Sequence, residues 1–505
     1  MVDVAARGRL AWLEPLFVGI LGAAVSLAGA GRPSFWYDEA ATISASYSRS
    51  LSALWQMLGD VDAVHGLYYV LMHGWFTIVP PTEFWSRVPG GLAVGAAAAG
   101  VVVLGRQLSS RAVGLTAGVM CAILPRATWA GIEARPYALT MMFAVWLAVV
   151  LVWTAGRESR WIWGVYGGLL AVSILFDVYL ALLVLAHAVF VLAFRRRRAV
   201  VLPFAITSGV SVAVMAPFVA VVAGQAQQIS WITPIGSRTF EDVAVQQYFD
   251  RNPYFAALAA VVVLVAIGVW VFARRPSVGE REAVVLAAAW LVIPTGLIVA
   301  YSAVREPLYT PRYLCFTAPA MALLLGVCIM AVARSAWVAA AVVVVFALVA
   351  APTFIAVQRG PYAKYHMDYS PVADLISVEA AAGDCLLVND TVTFHPAPMR
   401  PLMAARPDAY AGLVDVSLWQ RAADRRHVFD TNLIPEASVG PLEHCGVVWI
   451  ITQADPDAPE HEEGVAIPPG PLFGGTRAFA VSHDMGFRLV ERWQFSLAQV
   501  IKAER

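Results

Sequence analysis

Long apolar runs separated by short polar breaks fill the chain from near its N-terminus to about residue 357, and none occurs after that. A helix needs about 20 mostly apolar residues to cross a bilayer, so these runs predict membrane spans. The first is EPLFVGILGAAVSLAGAG, residues 14–31. The others lie at 87–105, 112–130, 137–155, 161–176, 178–194, 200–223, 254–273, 283–303, 312–332 and 336–356. The expectation is a polytopic helical membrane domain, residues 1–357, with about eleven transmembrane helices. Between the first two runs, ATISASYSRS and LSALWQMLGDVD predict short amphipathic helices lying on the membrane surface. HGLYYVLMHGWFTIVPP, residues 65–81, holds two His, ends in Pro-Pro and is short for a span. It predicts a further interfacial helix.

The arginines set the orientation, because Lys and Arg gather in cytoplasmic loops. With the N-terminus inside, GRQLSSR, GRESR, RRRR (195–198), ARRPSVGERE and ARS all face inward. The segments around WYDEA, GIEARPY, FDVY and VREPLYTPRY then face outward, as does the loop before Pro253. If 65–81 crossed, every later loop would flip and four consecutive arginines would face out. AGA near the end of the first run could mark a signal-peptidase site, but the length of the run and the spans that follow point to an uncleaved first helix. The expected location is the cytoplasmic membrane, multi-pass, with the C-terminal domain outside.

Residues 358–505 form a soluble domain of ordinary size. DLISVEAAAGD (374–384) predicts a helix, CLLVND (385–390) and CGVVWIIT (445–452) predict buried strands, GTRAFAVSHDMGF (475–487) a helix, and RLVERWQFSLAQVIK (488–502) one final strand. The alternation predicts a small α/β domain. Cys385 and Cys445 each open a strand in an oxidising compartment, and neighbouring parallel strands would pair them as a disulfide. Cys121, Cys315 and Cys328 lie within spans and read as apolar packing.

Composition adds little to this picture. The chain is 59% hydrophobic and 14% charged, and its net charge is zero, so no global field points to nucleic acid. Walker A and HEXXH patterns are missing, and His65 and His73 are too far apart in sequence for a close metal pair. HPAP and EHEE in the C-terminal domain are weak metal candidates set against ordinary loop residues. No cofactor is indicated; a divalent metal stays open.

The chemistry gathers at the outer helix ends. Asp38, Glu39, His65, His73, Glu133, Arg135, Asp177, Arg305, Glu306 and Arg312 all fall there, and ionisable groups at membrane depth mark function. Each alone could be a headgroup-level loop residue; the set reads as a polar chamber. Asp38, beside Glu39 and the aromatics Trp36 and Tyr37, is a candidate general base. Arg135 and Arg312 suit a phosphate through paired hydrogen bonds, Tyr137 and Tyr313 follow them as hydroxyl donors, and His65 could hold a phosphate or hydroxyl oxygen. A carboxylate base with arginine clamps fits attack by a hydroxyl on a centre whose leaving group is a phosphate.

WYDEA, HGLYYVLMHGW, FWSRVPGGLAV, LGRQLSSRAVGLTAGV, IEARPYAL and PRYLCFTAPA occur in that order. The series resembles the polyprenyl-phosphate-sugar glycosyltransferases of the GT-C fold, nearest the branch of protein O-mannosyltransferases and aminoarabinose transferase. The resemblance covers residues 14–330 most clearly. It implies that Asp38, with Glu39, activates the acceptor hydroxyl, that Glu133, Arg135, Tyr137, Arg312 and Tyr313 lie near the lipid phosphate, and that His65 and Tyr68 belong to the same site. Gly66 stands where the family usually has proline. Asp177 and Glu306 are further supporting candidates at the outer ends. The implied donor is a polyprenyl-phosphate-linked sugar, mannose before arabinofuranose, and the implied acceptor an envelope glycolipid or polysaccharide. The Ala-, Val- and Arg-rich composition suggests an actinobacterial source. Protein O-mannosylation is the nearest alternative. A lipid flippase would want ionisable residues at mid-membrane and on both faces, whereas most spans here are uncharged through their middles, and a scaffold would make the outer charges dispensable.

Overall fold

The computed structural model describes residues 2–157, 161–390 and 399–505. Part of GRESR and all of HPAP lie outside the described residues. The chain divides into two compact units. One comprises residues 1–30, 62–68 and 87–358; the other comprises 31–61, 69–86 and 359–505.

The first unit is helical. Among the described residues, seven helices are long and apolar enough to cross a membrane: Glu83–Leu108, Tyr137–Ala155, Arg198–Gly224, Pro253–Ala273, Val278–Val304, Pro311–Val332 and Ala336–Gln358. Four shorter apolar helices, Trp12–Leu27, Arg111–Ile123, Trp163–Phe176 and Val178–Phe194, occupy the other expected span positions. The protein is a multi-pass membrane protein. The helix ends follow local chemistry. Asn252 caps Pro253–Ala273 by accepting from Phe255 N at 2.8 Å. Ser277 and Glu280 form a reciprocal capping box that opens Val278–Val304. Small residues let helices approach closely: a Cβ added at Gly326 would stand 2.5 Å from that of Ala117 on Arg111–Ile123. Cys121, Cys315 and Cys328 are free and buried.

The second unit joins the segment after the first span to the C-terminal residues. Tyr37–Ser46 and Leu51–Asp60 are both helical, as the pattern predicted. In Leu51–Asp60 the buried residues Leu54, Met57 and Leu58 share one face, while Trp55 is 76% exposed. Residues 65–81 give a helix, Gly66–Phe76, that is not among the seven long ones.

Among the described residues, the C-terminal part holds a six-stranded sheet and a two-stranded one. The strands are β1 (Cys385–Val388), β2 (Val414–Asp415), β3 (Leu418–Gln420), β4 (Thr431–Asn432), β5 (Val447–Gln453), β6 (His461–Glu463), β7 (Arg488–Gln494) and β8 (Ala498–Glu504). The large sheet runs β2-β1-β5-β8-β7-β6. β1 is parallel to β2 and β5; the remaining pairs are antiparallel. β1 and β5 read as continuous apolar runs because they are interior strands, and Leu387, Val448, Ile450 and Ile501 are buried in one core with Phe473 and Phe487. The helix expected at 374–384 lies earlier, at Tyr369–Glu379, with a turn at 380–384 leading into β1, and the one expected at 475–487 is Arg477–Asp484.

One expectation needs correction. Residues 488–502 are not a single strand but a β7–β8 hairpin. The turn is held by Asp368, whose Oδ2 accepts from Leu497 N and Ala498 N, each at 2.7 Å. Alternation of polar and apolar residues continues through the turn, so periodicity alone could not show the break.

Cys385 and Cys445 are joined by a disulfide with Cα atoms 5.9 Å apart. Parallel pairing sets Cys385 opposite Val448, just beyond Cys445. Closing a loop over a separation of 60 residues restricts the unfolded chain by roughly 4 kcal/mol on the loop-entropy scale. Replacing both cysteines by serine should therefore make the C-terminal unit of the full-length protein markedly more protease-sensitive, while leaving fragments of the membrane unit unchanged. Equal digestion of variant and parent would contradict this.

Candidate functional site

Most of the expected site residues lie in the membrane unit, at breaks between helices. Arg135 sits two residues before the helix Tyr137–Ala155, and Arg312 opens the 3-10 turn Pro311–Thr317. Asp177 separates Trp163–Phe176 from the turn Val178–Leu182, and His65 ends the turn Ala63–His65. Such breaks are where a membrane helix can present polar side chains without burying unpaired backbone in lipid.

Aromatic rings tie these breaks together. Arg312 lies over the Trp231 ring at 4.7 Å and the Tyr313 ring at 5.8 Å. Tyr313 in turn has Tyr137, Tyr179 and Trp231 as ring neighbours, with centroids 6.4, 6.2 and 6.4 Å away. Tyr137 stacks on Trp129 at 5.5 Å. Trp129, Tyr179 and Trp231 escaped the sequence reading, because an aromatic residue in an apolar chain carries no local mark of its role.

His65 reports the electrostatics. It is half-buried, and burial, then Arg135, then Arg312, push its pKa well below the ordinary range. Both guanidinium groups are thus close enough to one imidazole to oppose its protonation, and His65 is neutral at physiological pH. A neutral imidazole between two fixed cations can donate to or accept from a ligand without adding charge. The backbone before it is also pinned: Gln228 Oε1 accepts from Asp62 N at 3.1 Å, and Gln225 Oε1 from Ala63 N at 2.9 Å.

Asp177 accepts from Tyr179 N at 2.9 Å. Burial pushes its carboxyl up to about 7, against this hydrogen bond. Glu133 and Tyr68 are buried in the same unit. Glu306 is exposed, and no described interaction ties it to the arginines. Beside the aromatic row lies a buried polar knot that the sequence did not announce. Arg126 lies over Trp129 at 4.6 Å and pairs with Asp250 at 3.6 Å. Gln358 donates to Asp250 at 2.7 Å and to Pro125 O at 2.9 Å. The knot fixes Trp129, and through it Tyr137.

Asp38 and Glu39 belong to the other unit, in the first turn of Tyr37–Ser46, where carboxylates complement the helix dipole. Glu39 is fully buried and Asp38 is half-buried. Trp36 meets Tyr365 at 4.7 Å and Tyr37 meets Phe429 at 4.9 Å. The Asp38 charge is felt at Tyr369: burial first, then Asp368, Tyr37, Asp390 and Asp38, raise that phenol well above its usual value. The helix is clamped at its far end. Ser44 Oγ donates to Val428 O at 2.5 Å, the buried Arg49 donates to His427 O, and His73 Nδ1 donates to Ser46 O at 2.8 Å. His73 is therefore a structural fastener. Of the weak metal candidates, His461 pairs with Glu491 and Glu462 with Arg492.

No family model and no curated protein matches the sequence. Solved structures do. ArnT from Cupriavidus metallidurans in its apo state superposes with a TM-score of 0.56 over 99% of this chain and 98% of that one, at 14% identity. The same protein bound to undecaprenyl phosphate gives 0.55 over 97% of each chain, at 13% identity. The chain has the GT-C fold. At this identity the likeness is one of fold, and it extends over both units of the GT-C chain. The archaeal oligosaccharyltransferase AglB from Archaeoglobus fulgidus, in complex with an inhibitory peptide and a dolichol-phosphate, reaches 0.47 over 86% of this chain and 69% of that one at 11% identity, too faint to carry an argument.

The two shifted groups make opposite pH predictions. Native Asp177 keeps its proton up to about 7 whereas an ordinary carboxyl loses it near 3.8, so its contribution to stability falls as pH rises through that interval. Native His65 refuses a proton that the unfolded chain takes below about 6.5, so its contribution is lost as pH falls below that value. Thermal melts of Asp177→Asn should gain on the parent as pH rises from 5 to 8 (roughly the window set by these groups). Melts of His65→Gln should gain on the parent as pH falls through the same window. Parallel curves would show that these environments are misassigned.

Proposed function

We propose that this protein is an inverting glycosyltransferase that takes a sugar from a polyprenyl-phosphate donor and places it on a hydroxyl acceptor at the outer face of the cytoplasmic membrane. The observation that carries the reading is that Arg135 and Arg312 both act electrostatically on His65, with Arg312 lying over the Trp231 and Tyr313 rings, in a chain with the GT-C fold. Two guanidinium groups around a neutral imidazole suit a phosphate monoester or diester better than any neutral ligand. ArnT, which shares the fold, has been crystallised with undecaprenyl phosphate.

In the proposed reaction the acceptor oxygen attacks the anomeric carbon while the bond from that carbon to the phosphate oxygen breaks. The electron pair leaves with the polyprenyl phosphate, and Arg135 and Arg312 stabilise the charge that develops there. The sequence resemblance assigns the acceptor proton to the Asp38 carboxylate, which lies beside Glu39 in the first turn of Tyr37–Ser46. Attack opposite the leaving group inverts the configuration. Mannose is the favoured sugar, arabinofuranose the next, and the acceptor is an envelope glycolipid or polysaccharide; these rest on the sequence resemblance alone.

Purified full-length protein given labelled polyprenyl-phosphate-mannose or -arabinose and membrane extract should form a labelled product that retains the sugar. Asp38→Asn should abolish transfer with the melting curve and lipid-phosphate binding intact. A fully active Asp38→Asn enzyme would remove this assignment.

The donor side is tested separately. A charge-assisted hydrogen bond is worth about 1.5–3 kcal/mol, so Arg312→Ala should weaken undecaprenyl-phosphate binding by roughly 10- to 100-fold. Arg312→Lys should recover only part of it, because one ammonium cannot reproduce the planar fork. Unchanged affinity in both variants would place the phosphate elsewhere.

A further inference from the structure

The four consecutive arginines at 195–198 do not act alike. Arg195 is committed: its two terminal nitrogens donate to the Glu282 carboxylate at 2.9 and 2.7 Å, at the start of the neighbouring helix Val278–Val304. Arg196, Arg197 and Arg198 are exposed. Arg196 Nε donates to Leu192 O at 2.6 Å, which lays this side chain against the end of its own helix. No described interaction occupies the Arg198 guanidinium.

Arg196 and Arg198 border a cleft of about 650 Å³ whose other lining residues are Leu192, Val201, Leu202 and Ala205. Positions 198, 201, 202 and 205 recur at helical spacing, so one face of Arg198–Gly224 presents a cation at its end and apolar side chains below it. That helix is mostly uncovered by protein: only 11% of its apolar window is buried, and Leu192 and Leu202 are 55% and 49% exposed. In a membrane the uncovered face meets acyl chains. No side chain caps the helix start, so its first-turn amides add to the positive potential there.

The occupant must match both halves of this surface. A free anion would satisfy the arginines but leave the apolar wall unused. A neutral lipid would cover the wall but give the guanidinium groups nothing in exchange for their hydration. We propose that this cleft is a binding site for an anionic phospholipid, its phosphate held by Arg196 and Arg198 and its acyl chain laid along Val201, Leu202 and Ala205. Basic pockets at the ends of membrane helices recognise such headgroups. The inference is independent of the catalytic reading, since it uses none of its residues.

Native mass spectrometry of the full-length protein in detergent, titrated with phosphatidylglycerol or phosphatidylcholine, tests it. Phosphatidylglycerol should be retained preferentially, and the double variant Arg196→Ala with Arg198→Ala should lower its retention about tenfold, as expected for losing two solvent-exposed ion pairs. Arg421→Ala, which removes an exposed charge in the other unit, should leave retention unchanged. Ala205→Trp, with both arginines intact, should also lower retention by filling the cleft. Equal retention of the two lipids, undiminished phosphatidylglycerol in the double variant, or displacement by millimolar inorganic phosphate alone would each overturn the proposal.

Discussion

Hydrocarbon offers no partner for an unpaired backbone amide or a bare charge, and this chain is organised around that exclusion. It crosses as helices and gathers its ionisable side chains where helices stop. Arg135, Arg312, Asp177 and His65 each occupy such a stop. Far apart in sequence, they become neighbours because the ends of packed helices come together. The cost of charge inside the membrane therefore selects where the chemistry can sit before any particular reaction is considered.

What fixes the orientation of those groups is mostly aromatic. Tyr313 touches Tyr137, Tyr179 and Trp231, and Arg312 spreads across Trp231. Rings have few rotatable bonds and large contact areas, so they hold a guanidinium group in place at little entropic cost. The Arg126–Asp250–Gln358 knot supports the row from the side by fixing Trp129. A buried charge pair of this kind, satisfied by further hydrogen bonds, specifies an arrangement more than it adds stability. His65 is in turn pinned through the two glutamines that hold Asp62 and Ala63.

The C-terminal unit is more than an appendage to the last span, because it includes the segment that follows the first. Ser34 N donates to Pro361 O, Phe35 N to Ser370 Oγ, and Arg406 bridges Glu83 and Asp374. The short helix bearing Asp38 and Glu39 is held by Val428, His427 and the Tyr37–Phe429 ring contact. The proposed base thus inherits its rigidity from residues some four hundred positions downstream.

The membrane spans could be read directly, since burial in lipid demands a continuous apolar run and leaves little freedom in its length. The Cys385–Cys445 pairing was legible too, because both residues introduce strands of strong β character. Arg135 and Arg312 stood out as charges at the ends of uncharged apolar runs. Other features were invisible in one dimension. Trp231 and Trp129 look like any membrane aromatic until rings from distant breaks surround Arg312 and Arg126. Gln247, which donates to Tyr248, Thr295 and Thr317, looks like an ordinary loop residue until those helices converge. The β7–β8 turn depends on Asp368, more than a hundred residues earlier. Hydrophobic patterning is a property of neighbours along the chain, and it dictates which segments enter the bilayer. Contacts between segments depend on how the helices and sheet pack, and that is settled only when the whole chain has folded.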